Sequence, residues 1–210
     1  MAAVLAPAIR VKQLGSVDYL ATLEAMRRFT AQRNDSTGDE LWLLEHAPVY
    51  TLGLGADLTH GPRGDNGIPV VRVERGGEIT YHGPGQVVLY TLVDLARRAL
   101  KVRAFVAMLE QSVIDLLAEH GVDAARRPGA PGVYVGGAKI AALGIRVARG
   151  RTFHGLALNV DVDLGPFGAI DPCGYPGLAV VRTRDLGVVR TPRELGGRLA
   201  EILAVRLGDA

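Results

Sequence analysis

A single cysteine, an isolated lysine and two histidines beside glycines are the residues of this 210-residue chain that could carry out group transfer. Cys173, the only cysteine, stands in Ile170-Asp-Pro-Cys-Gly-Tyr-Pro-Gly177, between a proline and a glycine and outside any apolar periodicity. Most lone cysteines are small buried hydrophobes, but this setting is suited to presenting a thiol at a cleft. A thiol with an ordinary pKa of about 8.5 is mostly protonated at neutral pH, so a nucleophilic one needs a base or a cation nearby. Three side chains are candidates. His82 and His154 could each form a Cys–His pair, and Lys139 is the only charge between Pro131 and Ile145. A lysine in such surroundings either snorkels from a strand end or is desolvated enough to accept a proton from a thiol.

A second group of candidates lies in Arg75-Gly-Gly-Glu-Ile-Thr-Tyr-His-Gly-Pro-Gly-Gln86, between the strand-like runs Ile68–Val73 and Val87–Val93. Four glycines and a proline in twelve residues exclude a helix and make a poor strand interior, so the backbone here is shaped for close approach to something. Arg75 brings a fork of donors, Gly76 and Gly77 can turn N–H groups toward an anion or a carbonyl, and Tyr81 and His82 add an aromatic face and a titratable ring. A long hairpin loop without chemistry is the plain alternative. His154-Gly-Leu-Ala-Leu-Asn159 is another strand breached by glycine, which fits either ligand approach or a bulge.

The elements that must position these groups are legible as short runs. A first strand is expected near Ile9–Leu14. An amphipathic helix follows, capped by Ser16, with Leu20, Leu23, Met26 and Thr30 on one face and Arg27, Arg28 and Arg33 toward its end. Leu41–Leu44 reads as a buried strand, His46 as a structural residue, and the segment to Gly67 as loop. Helical spacing is clearest over Val102–His120, ending at Gly121. Val133–Val135, Lys139–Ala148 and Thr152–Val162 read as strands, the last two joined by a tight turn at Arg149-Gly150. A final helix starts near Thr191 or Pro192 and runs to about Val205. Strands come in groups and no nucleotide-loop signature occurs, which argues against Rossmann and P-loop architectures and predicts an α+β fold, a mixed β-sheet with packed helices.

Composition narrows the classes further. With 48% apolar and 22% charged residues the chain has material for one core, so residues 1–210 are expected to form a single catalytic domain. A net charge of +2 argues against nucleic acid as the main partner. The lack of a long apolar run and of a basic, apolar leader predicts no membrane partner and a cytoplasmic protein. One cysteine excludes an internal disulfide and a multi-cysteine zinc site, and no metal or cofactor is expected.

Taken together, Glu45-His-Ala-Pro-Val-Tyr-Thr-Leu-Gly53, the Arg75–Gln86 stretch, Gly137-Ala-Lys-Ile-Ala-Ala-Leu-Gly-Ile-Arg146, His154–Asn159 and Pro172-Cys-Gly174 closely resemble the lipoyl(octanoyl) transferases in order and spacing. The resemblance implies a fold like the catalytic domain of biotin and lipoate protein ligases. It implies transfer of an octanoyl group from octanoyl-acyl carrier protein to a lysine of lipoyl domains, those of 2-oxoacid dehydrogenase complexes and of the glycine cleavage H protein. By the same resemblance Cys173 holds the acyl group as a thioester and Lys139 is its base. Arg75, Gly76, Gly77, Glu78, Ile79, Thr80, Tyr81 and His82, with Ala142, Leu143, Gly144, Gly155, Leu156 and Ala157, then line the acyl and pantetheine-end pocket. Tyr134 and Tyr175 stand where Trp and Ile are common in the pattern, positions expected to carry no chemistry. The competing readings are an ATP-dependent lipoate or biotin ligase and a non-catalytic binder of acylated carrier domains. Acidic partners would favour a basic rim, for which the hairpin arginines Arg146, Arg149 and Arg151 are candidates.

Overall fold

The computed structural model describes residues 9–56, 61–171 and 177–208. Pro172, Cys173, Gly174 and Tyr175 lie outside them. Among the described residues, ten strands and three α-helices run in the order β1 (Arg10–Val17), α1 (Tyr19–Gln32), β2 (Glu40–His46), β3 (Val49–Leu52), β4 (Val70–Arg72), β5 (Ile79–His82), β6 (Gln86–Leu92), α2 (Val102–Ala118), β7 (Ala125–Arg127), β8 (Ala130–Val135), β9 (Ala138–Ala148), β10 (Arg151–Asn159) and α3 (Pro192–Gly208). Seven strands form one sheet in the order β1-β2-β6-β10-β9-β8-β7, and a smaller sheet has the order β4-β3-β5. Parallel pairing joins β1 to β2 in the large sheet and β3 to β4 in the small one, alongside antiparallel pairs in each, so both sheets are mixed.

Both faces of the central strands are covered, so their sequences read as continuous apolar runs. Leu41, Leu43, Val87, Leu89, Leu156 and Leu158 pack against α2 and α3 through Phe105, Leu109, Val113, Leu199 and Leu203. The alternate residues Trp42, Leu44, Val88, Tyr90 and Leu92 face Leu23 and Met26 of α1. Helix α3 begins with a reciprocal capping box: the Glu194 N–H donates to Thr191 Oγ1 at 3.2 Å, and the Thr191 N–H to Glu194 Oε2 at 2.8 Å. Among the described residues no helix is long and apolar enough to cross a membrane.

Several boundaries differ from expectation. Strand β1 continues through Ser16 to Val17, in register with Glu45 and His46, so parallel pairing takes the residue expected to cap α1. Asp18 caps the helix instead, its Oδ1 accepting the Ala21 N–H at 2.8 Å. Leu23, Met26 and Thr30 are buried as expected, but in the first turn Tyr19 and Thr22 are buried in place of Leu20, which is solvent-exposed. The Arg75–Gln86 stretch is not one loop, because Ile79–His82 pairs with β3 as β5. The run before it shortens to β4 in the small sheet, whereas Val87–Val93 belongs to β6 at the centre of the large one. Arg149 and Gly150 make the expected two-residue turn with φ of 51° and 77°.

That turn lies ten residues along β9 from Lys139, about 33 Å at strand rise. Arg151 is also committed to the fold, pairing with Asp94 at 3.2 Å and donating to the Arg33 carbonyl at 2.7 Å. The hairpin is therefore not a rim around the Lys139 end of the molecule.

Candidate active site

A cavity lies on the α1-facing side of the large sheet. Its floor is β6, β10 and β9, and its roof is β5 with the strap Arg75–Glu78. Arg75, Gly77, Glu78, Ile79, Thr80, His82, Lys139, Ala142, Leu143, Gly144, Gly155, Leu156 and Ala157 all line it. Two other candidates are placed elsewhere. Tyr81, one residue out of phase on β5, turns away from the floor and packs on Tyr50 and Phe167, with ring centroids 5.6 and 5.4 Å away. Gly76 pins the strap to the floor, its N–H donating to the Ile145 carbonyl at 3.0 Å. Gly144 permits that contact, because a Cβ there would stand 2.8 Å from the Gly76 oxygen.

At one end of the cavity sits Lys139, 3% exposed near the start of β9. Its Nζ donates to the Pro131 carbonyl at 3.1 Å and lies 5.1 Å from the centre of the Tyr134 ring. Tyr134, which sequence reasoning set aside, thus supports the ammonium directly. The side chain crosses β8 at Gly132, where φ is 140° and a Cβ would stand 2.9 Å from Lys139 Cε and 2.8 Å from the Ala141 oxygen. Any other residue there would displace the lysine or the strand. The Lys139 backbone brackets the segment that follows residues 172–176: its N–H donates to the Ala179 carbonyl at 2.8 Å and its carbonyl accepts the Val181 N–H at 3.0 Å. On the preceding side Arg63 holds Asp171 at 2.9 Å and the Gly168 carbonyl at 2.8 Å.

Beside Lys139 runs a polar relay. His82 Nδ1 is 2.7 Å from Gln86 Oε1, Gln86 Nε2 donates to Asn159 Oδ1 at 3.0 Å, and Asn159 Nδ2 donates to the Val181 carbonyl at 3.2 Å. Since Gln86 offers an oxygen, His82 carries its proton on Nδ1. Burial, reinforced by His46, pushes the His82 pKa down to about 3, and burial with the nearby Arg75 does the same to His154. Such imidazoles are neutral and poor general bases at neutral pH. Arg75 is committed to the scaffold through the Thr51 carbonyl at 2.7 Å and Thr51 Oγ1 at 2.8 Å.

The far end is walled by Tyr19, Tyr90, Arg75 and His154. His46 stands behind it, Nδ1 3.0 Å from the Val17 carbonyl and Nε2 2.7 Å from the Tyr90 hydroxyl. A carbonyl can only accept, so Nδ1 is protonated and Tyr90 donates to Nε2, the structural role expected of His46. Burial raises the Tyr19 pKa to about 12. Gln86 and Asn159 end the two glycine-breached stretches and carried a visible signal in the sequence. Tyr19, Tyr90 and Gly132 did not, because each merges into the periodicity of its own element.

A mixed sheet flanked by helices, with a largely uncharged cavity and a buried lysine at its end, defines a catalytic domain of the lipoate and biotin protein ligase type. Lipoate-protein ligase A bound with ATP superposes with a TM-score of 0.74 at 17% identity, covering 97% of this chain and 95% of that one. The Aquifex aeolicus biotin protein ligase in complex with biotin and ATP gives 0.59 at 13%, covering 94% and 70%. Residues 18–180 match the lipoyl protein ligase A/B catalytic domain family, and the octanoyltransferase of Azoarcus sp. (strain BH72) is 58% identical over 202 residues, 96% of this chain and 89% of that protein. The chain belongs to the octanoyltransferases of that family.

Proposed function

We propose that this enzyme transfers an octanoyl group in protein lipoylation, from octanoyl-acyl carrier protein to the lysine of a lipoyl domain, through an acyl thioester on Cys173. Lys139 takes the thiol proton as the Cys173 sulfur attacks the donor carbonyl. The tetrahedral oxyanion collapses, breaking the donor C–S bond, and Lys139 returns the proton to the departing thiolate. In the second half the acceptor amine attacks the Cys173 thioester and loses a proton to Lys139 as the C–N bond forms. That proton then goes to the leaving Cys173 sulfur. Exchange between thioesters is nearly isoenergetic and amide formation is downhill, so neither half requires ATP.

The observation that carries this reading is the placement of Lys139, buried where the cavity meets the chain returning from residues 172–176. In the sequence Cys173 precedes Ala179, whose carbonyl accepts the Lys139 N–H, by only six residues. Six residues of fully extended chain span at most about 20 Å, a tether that keeps the thiol in the neighbourhood of the lysine. The neutral, weakly basic His82 and His154 support lysine over a Cys–His pair. The apolar middle of the cavity, from Val88 and Ala157 to Leu143 and Ile79, suits an aliphatic chain.

Intact-protein mass spectrometry after mixing with octanoyl-acyl carrier protein, without ATP, tests the proposal. A single octanoyl adduct that hydroxylamine removes is expected on the wild type and none on Cys173→Ala. An equal adduct on Cys173→Ala, or a requirement for ATP, would overturn the thioester mechanism.

A further inference from the structure

Strand β10 breaks its own alternation at His154. Phe153 and Ala157 lie on the α1 side, Leu156 and Leu158 on the α2 and α3 side, so a regular strand would send His154 away from the cavity. Its φ of 61° turns it back. The ring stacks on Phe153 at 5.1 Å, meets the Tyr90 ring at 6.0 Å and lines the cavity. A left-handed conformation is costly for a residue with a Cβ, and such outliers persist where the surroundings impose them for use. The second observation is chemical. His154 is 1% exposed, and its Nε2 is buried with no hydrogen-bond partner among the described residues. A buried polar nitrogen left open in a cavity wall is a place for a ligand group or water.

We propose that His154 determines acyl specificity: it is the polar stop of the acyl cavity, favours chains of eight carbons over longer ones, and hydrogen-bonds a chain whose end carries a hydroxyl. The inference rests on the octanoyl-transfer reading, with the reacting carbonyl at the Lys139 end. Asn159 and His154 are five residues apart on β10, about 17 Å. An extended octanoyl chain covers about 9 Å from carbonyl to methyl, given C–C bonds near 1.52 Å. The two spans differ by about 8 Å, room for the imidazole of His154 and one or two further chain atoms before the wall of Tyr19, Tyr90 and Arg75. Further methylenes would advance into this polar end and deprive Nε2 of hydration without offering it a partner. A hydroxyl both donates and accepts, so it satisfies Nε2 in either tautomer.

The test compares kcat/KM for octanoyl, nonanoyl, decanoyl and 8-hydroxyoctanoyl thioesters of acyl carrier protein. Nonanoyl and 8-hydroxyoctanoyl have chains of equal length and differ only in the terminal group. His154→Gly and His154→Asn both accommodate a left-handed backbone. The wild type is expected to prefer octanoyl to decanoyl, and both variants to raise the decanoyl-to-octanoyl ratio about tenfold. The 8-hydroxyoctanoyl-to-nonanoyl ratio is expected to fall about tenfold in His154→Gly. Equal ratios in wild type and variants would overturn the proposal. So would a wild type that shows no preference for 8-hydroxyoctanoyl over nonanoyl, a result that needs no variant to fold. Failure of the wild type to transfer octanoyl at all would instead sink the proposed function.

Discussion

The two ends of the cavity both carry buried nitrogen, and they treat it differently. At one end Lys139 extends across a glycine, rests over the Tyr134 ring and has a carbonyl for its ammonium. At the other end His154 is turned inward by a strained backbone, and its Nε2 has no hydrogen-bond partner among the described residues. If the two proposals above hold, the Lys139 end carries the chemistry and the His154 end the selection, joined by an apolar middle that supplies neither.

Substitution at Lys139 disturbs this division most. Lys139→Ala is expected to slow acylation by something like the 10²–10⁴-fold typical of a lost general base. Under single-turnover conditions with carrier-bound octanoyl and decanoyl, the ratio of the two rates is expected to stay at its wild-type value. A large shift in that ratio would mean that the lysine also selects. Gly132→Ala probes the same end without touching a titratable group. The new Cβ, 2.9 Å from Lys139 Cε, must move either the lysine or its strand, and roughly a 10- to 100-fold loss of acylation rate is expected, as for other misplaced catalytic groups. Full activity in Gly132→Ala would show that Lys139 does not need its path across β8.

The smallest effect concerns the imidazoles. His82 and His154 have folded pKa values of about 3, below the value of about 6.5 in an unfolded chain, so between those limits the unfolded state binds protons that the folded state refuses. Stability is complete above about pH 6.5 and falls as the pH drops through this window. At pH 5.5 each histidine accounts for about 1.4 kcal/mol, and burial of His46 acts in the same direction. Urea unfolding at pH 7.5 and 5.5 is expected to show a loss of about 3 kcal/mol, reduced by about half in His82→Asn. The carboxylates with lowered pKa, such as Glu74 and Asp94, act only at lower pH. Equal stability at the two pH values would mean that the histidines are not held neutral, and the contrast between the two ends would lose its basis.

Elements with one dominant local signal were legible in the sequence. Helix α2 and the β9–β10 hairpin are long, periodic and bounded by glycine, and they stand close to where they were expected. Strand β5 was hidden because its four residues sit among glycines that serve the strap before it and the turn after it. The start of α1 was misplaced because pairing between β1 and β2 outweighs the capping preference of Ser16. For the site, Lys139 stood out as a lone charge in an apolar run, whereas the orientation of His154 depends on one dihedral angle that no residue pattern announces.

The floor of the cavity also has a consequence for how the enzyme reaches its working state. Gln86 and Asn159, hydrogen-bonded across it, are 73 residues apart in the chain, and Thr91 and His154 are 63 apart. Closing such loops costs chain entropy before any contact repays it, and sheets built on distant pairings fold slowly. Helix α2 and the hairpin of β9 and β10 need only neighbouring residues. A refolding chain is thus expected to hold these two pieces well before β6 docks against β10, and until that docking there is no surface on which an acyl chain could lie.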